Sequence, residues 1–184
     1  VYRDIGGVWA SGNALNTGRF TLGGTGTQTA GFAISGCIGF PLSTPTMVTQ
    51  SEDYNGTSWT VAPSLGAGRY TMGTAGTQTA ALVNKGYGTS APALNTTETY
   101  DGSSWTGGTA SNFYATNVGS GGTQTSAVIF AGSEAPGITD RTEEWDGSSW
   151  SNTGTLGTAR YQMSGNNIGT QTAGLCVCGY VPGA

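Results

Sequence analysis

Four short apolar runs recur along the chain: Phe32-Ala33-Ile34, Ala81-Leu82-Val83, Ala127-Val128-Ile129-Phe130 and Leu175-Cys176-Val177. Each is bounded by sequence rich in Gly, Thr and Ser, which is the pattern of a short buried strand. The second unit gives the fullest template. Arg69 to Met72 reads as a first strand, Gly76-Thr77-Gln78 as a turn, and Thr79 to Val83 as a second strand. Asn84 to Leu94 reads as a loop, with Gly86, Gly88 and Pro92 as breakers. Thr96 to Tyr100 alternates as a third strand, and Ser103 to Thr106 is the fourth. Asp101-Gly102 between them predicts a two-residue type I′ hairpin.

The template repeats. The frame Gly-Thr-Gln-Thr-(Ala/Ser) starts at Gly26, Gly76, Gly122 and Gly169, and Trp9, Trp59, Trp105 and Trp150 keep step with it. Tyr54, Tyr100 and Trp145 stand five residues before the last three tryptophans, and Asn55-Gly56 and Asp146-Gly147 are matching turns. A period near 47 residues with four short strands predicts an all-β fold, a β-propeller of four-stranded antiparallel blades. The whole chain, 1–184, is then one domain, with blades at 19–62, 69–108, 113–153 and 160–180 plus 1–10. The terminal segments are complementary half-blades. Their pairing would close a four-bladed ring and remove exposed sheet edges; part of a six- or seven-bladed propeller is the alternative.

Composition narrows the chemistry. Only 9% of residues are charged and the net charge is −4. The six basic residues, Arg3, Arg19, Arg69, Lys85, Arg141 and Arg160, do not cluster, so no footprint for nucleic acid is present. No apolar run has the ~20 residues of a membrane-spanning helix. The absence of an initiator Met at Val1 fits a processed product or a piece of a longer chain. Cys37, Cys176 and Cys178 show no framework spacing. Cys176 and Cys178 are expected on one strand face, and a Cys37–Cys178 bridge requires the first and last repeats to touch. Two glycosylation sequons, at Asn55 and Asn95, are weak signals in so Asn- and Thr-rich a chain.

The chain has no histidine, which removes Ser-His-Asp catalysis and most transition-metal sites. No Gly-rich stretch leads into a phosphate-binding motif. Glu52, Asp53, Glu98, Glu143 and Glu144 recur near the third strand; they are expected on a solvated outer face, and a paired-carboxylate hydrolase is the rival. No cofactor, metal or catalytic residue is expected.

Residues present in every repeat are expected to serve the scaffold. Trp9, Trp59, Trp105 and Trp150 should pack between blades. Arg19, Arg69 and Arg160 should bond carbonyls of a neighbouring blade or stack on Tyr, with an anion-binding ring at the channel mouth as the rival, while Phe113-Tyr114 fills that slot in the third repeat. Gln28, Gln78, Gln124 and Gln171 should satisfy turn backbone groups. Recognition is expected in the uneven loops Cys37 to Thr46, Lys85 to Leu94 and Gly132 to Thr139, with Phe40, Tyr87 and Glu134 as ligand-binding candidates.

The order Arg69, Ala80 to Val83, Tyr100, then Trp105 after a turn resembles the kelch repeat, which galactose-oxidase-like central domains share. It covers nearly the whole chain. The family's Gly-Gly doublet is reduced to single glycines at Gly36, Gly86, Gly132 and Gly179, and the copper ligands of the enzymatic member are missing. The wording around GTQTA and TETYDGSSW is similar to Gly/Thr-rich kelch-like proteins of marine bacteriophages. That resemblance implies a non-enzymatic virion structural or adhesion module, in a fibre or surface decoration. Its partners would be host-surface glycan or other virion subunits, its location virion or extracellular, with oligomers open. A kelch-type protein-interaction scaffold is the alternative.

Overall fold

The computed structural model describes residues 2–4, 9–39, 45–89, 92–163 and 167–183, with residues 2–4, 9 and 10 as backbone. Among them every regular element is a β-strand and every pairing is antiparallel. Three four-stranded meanders follow one another. Repeat one comprises Gly23–Thr27, Ala30–Ile34, Ser51–Tyr54 and Trp59–Ala62. Repeat two comprises Gly73–Gly76, Ala81–Asn84, Thr97–Tyr100 and Trp105–Gly108. Repeat three comprises Gly119–Gly122, Ala127–Glu134, Gly137–Trp145 and Trp150–Thr155. Repeat four contributes the pair Gly169–Thr170 and Ala173–Gly174, and the N-terminal segment the pair Tyr2–Asp4 and Trp9–Ser11. None of these sheets closes on itself. Asp4 opposite Trp9 has the register of Tyr54 opposite Trp59, so the N-terminal pair matches third and fourth strands.

The first strand lies later than the sequence pattern predicts. It is the Gly-rich stretch, such as Gly73–Gly76, whereas Arg69–Tyr70 pairs with Tyr87–Gly88 in a separate two-stranded sheet. Crowding explains the glycines. The first strands of repeats one, two and three lie side by side, with that of repeat four beside the third. A Cβ on Gly23 would meet the Thr74 side chain at 2.6 Å, and one on Gly121 the Ile168 carbonyl at 2.6 Å. Hydroxyls stitch the neighbours together: Thr74 Oγ1 donates to Gly24 O (2.9 Å) and Ser120 Oγ to Thr74 O (2.8 Å).

The apolar second strands of repeats one to three are buried, as expected, and pack between repeats. Phe32 and Ile34 join Val83, Tyr100 and Trp105 in one cluster; Ala75 and Leu82 join Ile129, Trp145 and Trp150 in another. The fourth run departs. Leu175 is exposed, and Cys176 and Cys178 share no strand. Among the described residues no third strand pairs with Ala173–Gly174, so that edge lacks the partner that covers the other three. All three cysteines are free.

Two further expectations are corrected. The turns are four-residue loops, because Tyr100 pairs with Trp105 and Asp101 N–H donates to Ser104 O. Only Gly102 takes a positive φ (93°), and Asp101 Oδ1 accepts the N–H groups of Ser103 and Ser104 at 2.8 Å each. Side-chain capping of the loop replaces the two left-handed residues of a type I′ turn. In repeat three, the expected loop from Gly132 to Thr139 is instead the paired tip of a long hairpin, Glu134 opposite Gly137.

Candidate functional site

Positive φ at Thr21, Thr71, Asn117 and Gln162 fixes the register of all four repeats. Two residues earlier stand Arg19, Arg69, Ala115 and Arg160. Ala115, and not Phe113-Tyr114, therefore holds the arginine slot of repeat three. Gly36, Gly86 and Gly132 N–H donate to the carbonyls of Arg69, Ala115 and Arg160, each at 2.9 Å, which confirms the equivalence.

Three of the five repeated acids are not solvated, while Asp53 and Glu144 keep partial exposure. Glu52, Glu98 and Glu143 are buried, and each takes a cation: Arg19 at 3.0 Å, Arg69 at 2.7 Å and Lys85 at 2.8 Å. Lys85 is the substitute for the arginine that Ala115 lacks. It belongs to repeat two, with φ of 62°, and sends its ammonium into repeat three. There Nζ donates to Ser111 Oγ, Phe113 O and Glu143 Oε2, 3.5 Å from the Phe113 ring centroid. Burial pulls its pKa down to about 8 against the opposing pull of Glu143. Burial likewise lowers Arg19 and Arg69, opposed by Glu52 and Glu98. The arginines also bond carbonyls, but those of their own repeat and not of a neighbouring one as expected: Arg69 those of Lys85 and Thr96, Arg19 that of Gln50, and Arg160 that of Cys178. Among the described residues no acid pairs with Arg160.

The glutamines reach further than their own turns. Gln78 Nε2 donates to Gly31 O and Tyr54 O of the preceding repeat, Gln171 to Ala127 O and Trp145 O, and Gln124 to Tyr100 O. The tryptophans stack on the aromatic five residues earlier, with centroids 4.9, 5.1 and 5.2 Å apart for Trp59, Trp105 and Trp150. Trp105 also stacks on Phe32 of repeat one, and Trp150 Nε1 donates to Thr97 Oγ1 of repeat two. The Trp9 side chain and Phe40 lie outside the described residues.

Two concavities lie on the face that carries the left-handed residues. One, about 180 Å³, is lined by Thr21, Leu22, Thr71, Met72, Asn117, Val118, Gln162 and Met163, two equivalent residues from each repeat. The second, about 350 Å³, lies between repeats two and three, where Tyr87 and Pro92 face Thr116, Ser133 and Pro136. Tyr87 is exposed and packs on Tyr70 at 5.1 Å; Tyr161 and Tyr180 form a second such pair. Glu134 does not line this cavity; it pairs with Arg141 at 3.1 Å. Sequence reasoning missed this set of eight, whose only signal is its place before the Gly-rich first strand.

No family model matches the sequence, and no curated protein matches it. Solved structures do match the fold. The structure of YjhT aligns with a TM-score of 0.68 at 14% identity, over 82% of this chain and 56% of that one. The chain thus spans just over half the length of that neighbour, and the likeness concerns the fold alone. Among the described residues no three of His, Cys, Asp and Glu converge on a metal position, and no helix is long and apolar enough to cross a membrane.

Proposed function

We propose that the chain is a kelch-like β-propeller of four blades, acting as a non-enzymatic virion structural and adhesion module that binds a host-surface glycan or another virion subunit. The observation that carries the recognition reading is the 350 Å³ cavity beside Tyr87. It offers an aromatic edge, two prolines and the hydroxyl residues Thr116 and Ser133, with no charged residue in its lining. Those groups suit a neutral sugar, whose apolar face packs on an aromatic ring while its hydroxyls exchange hydrogen bonds. Three of the six basic residues are turned inward to buried carboxylates, which leaves little positive charge for anionic ligands.

Four-blade closure is supported by contacts that join the first and last repeats. Asn167 Nδ2 donates to Thr25 Oγ1 (2.8 Å) and to Gly76 O (3.0 Å). The left-handed residues are joined in series, Thr71 N–H to Thr21 O, Asn117 N–H to Thr71 O and Gln162 N–H to Asn117 O. The virion assignment rests on the sequence resemblance. A glycan array with wild type and Tyr87→Ala, together with a cell-adsorption assay, tests the reading. Neutral-glycan binding lost in Tyr87→Ala is expected. No glycan binding, no adsorption and no virion association by proteomics would overturn it. Capture of one cellular protein without sugar competition would instead identify an interaction scaffold.

A further inference from the structure

One position differs among the repeats in a way that empties space beside a buried charge. Three residues before the arginine slot stand Asn16, Gly66, Asn112 and Gly157; of the two glycines, only Gly66 lies beside a buried carboxylate among the described residues. In repeat one, Asn16 Nδ2 bridges Glu52 Oε2 (2.9 Å) and Trp59 O (2.9 Å). In repeat three, Asn112 Nδ2 bridges Glu143 Oε1 (2.6 Å) and Trp150 O (3.2 Å). Repeat two keeps the backbone half of this arrangement, Gly66 N–H donating to Glu98 Oε2 at 2.6 Å, and lacks the carboxamide. Two more glycines widen the gap. Gly107 stands where repeat one has Val61, since Glu98 opposes Gly107 as Glu52 opposes Val61, and Gly108 stands where it has Ala62. The result is an open cleft of about 350 Å³ lined by Gly66, Arg69, Glu98, Trp105, Gly107 and Gly108 among others. Among the described residues no side chain donates to Trp105 O.

The geometry points to this cleft as a receptor for a primary carboxamide, the side chain of an Asn or Gln presented by a partner polypeptide. The Glu98–Arg69 pair is neutral as a unit, so a neutral donor fits better than a second cation. The vacated group uses one nitrogen to reach a carboxylate and a carbonyl together, which needs two N–H bonds on one atom. A primary amide supplies them, and the secondary amide of an acetamido sugar does not. Trp105 is half-buried, with Phe32 and Tyr100 packed against it, and walls the cleft as an apolar surface for the rest of the ligand. The cleft is far larger than a carboxamide, so it takes a whole side chain and the backbone carrying it. This inference stands whether or not Tyr87 binds sugar.

The test is NMR titration of the intact chain with propionamide and with capped Gly-Asn-Gly and Gly-Gln-Gly peptides, reading the Trp105 indole and the Gly66 and Gly107 amides. Saturable shifts at all three are expected, with capped Gly-Asp-Gly and Gly-Leu-Gly silent. Gly66→Asn rebuilds the missing bridge from within and should weaken peptide binding at least tenfold. Gly107→Val should do the same by restoring the Val61 side chain; a Cβ there meets no atom within 4 Å, and an unchanged amide spectrum away from the cleft checks that the variant is folded. Absence of saturable shifts in the wild type, equal response to the Asp or Leu peptides, or undiminished binding in both variants would overturn the proposal. So would saturation by N-acetylglucosamine with the amide peptides silent, which would make the cleft a sugar subsite.

Discussion

Lys85 shows how a lost side chain is replaced from a neighbouring repeat. Removing it leaves Glu143 charged, buried and without its cation, which costs about 3–5 kcal/mol in comparable pairs. Lys85→Met should therefore unfold at markedly lower denaturant than wild type. Ala115→Arg introduced into Lys85→Ser restores the arrangement of repeats one and two. It should recover part of that loss, whereas Ala115→Arg alone should destabilise by crowding two cations on Glu143. A double-mutant cycle in urea measures the coupling. The pH dependence has a definite sign. The folded Lys85 titrates near pH 8 and the unfolded one near 10.5, so the unfolded chain binds more protons between those values. Its contribution therefore makes stability rise with pH across that window, by up to about 1.4 kcal/mol per pH unit. Buried Cys37 titrates high and works the other way, but in wild type and Lys85→Met alike, so the difference between their slopes isolates Lys85. At the acid end, the Ser103 hydroxyl and the Ser103 and Ser104 amides hold Asp101 down to about 2. The stabilisation this gives is present above the ordinary carboxylate pKa and lost as pH falls through about 2. Asp101→Asn, which copies Asn55 in the equivalent turn, should leave the neutral-pH melting temperature little changed and flatten its fall between pH 4 and 2.

At the scale of the element, the Gly-rich stretches read as turns because glycine has low strand propensity. They pair as strands all the same, and glycine is needed at positions such as Gly23 and Gly121 because neighbouring repeats approach too closely there for a side chain. Gly119 is crowded from within its own sheet, since a Cβ there would lie 2.2 Å from the ring of Phe130, its partner across the strand pair. Gly119→Ala should cost about 1–3 kcal/mol or more by overpacking. Gly154→Ala, whose Cβ would meet nothing within 4 Å, should stay within about 0.5 kcal/mol. Thermal melts of the two variants side by side check the contrast. The second strands were legible because their apolar side chains are buried by the adjoining repeat as well as by their own. Leu175 shows the limit of that signal: the same pattern without a covering third strand stays exposed.

For the molecule as a whole, Asn167 joins the last repeat to the first two. Asn167→Ala removes both bonds and should cost about 1–2 kcal/mol. A closed monomer of this length should show a radius of gyration of about 16 Å in dilute solution; small-angle scattering that gives a clearly larger, concentration-dependent value would contradict closure. The sequence by itself determined the repeat, the buried second strands of repeats one to three and the absence of histidine, because each depends on local composition and spacing. Only the tertiary structure decided which residues meet across repeats. The acids looked solvated because their recurrence does not say which way they face or that the recurring arginines meet them, and Lys85 looked like a loop residue because its partner is 58 positions away. The cleft at Gly66 was likewise invisible, since a glycine reads as a turn until the carboxamides of Asn16 and Asn112 show what is missing from its place.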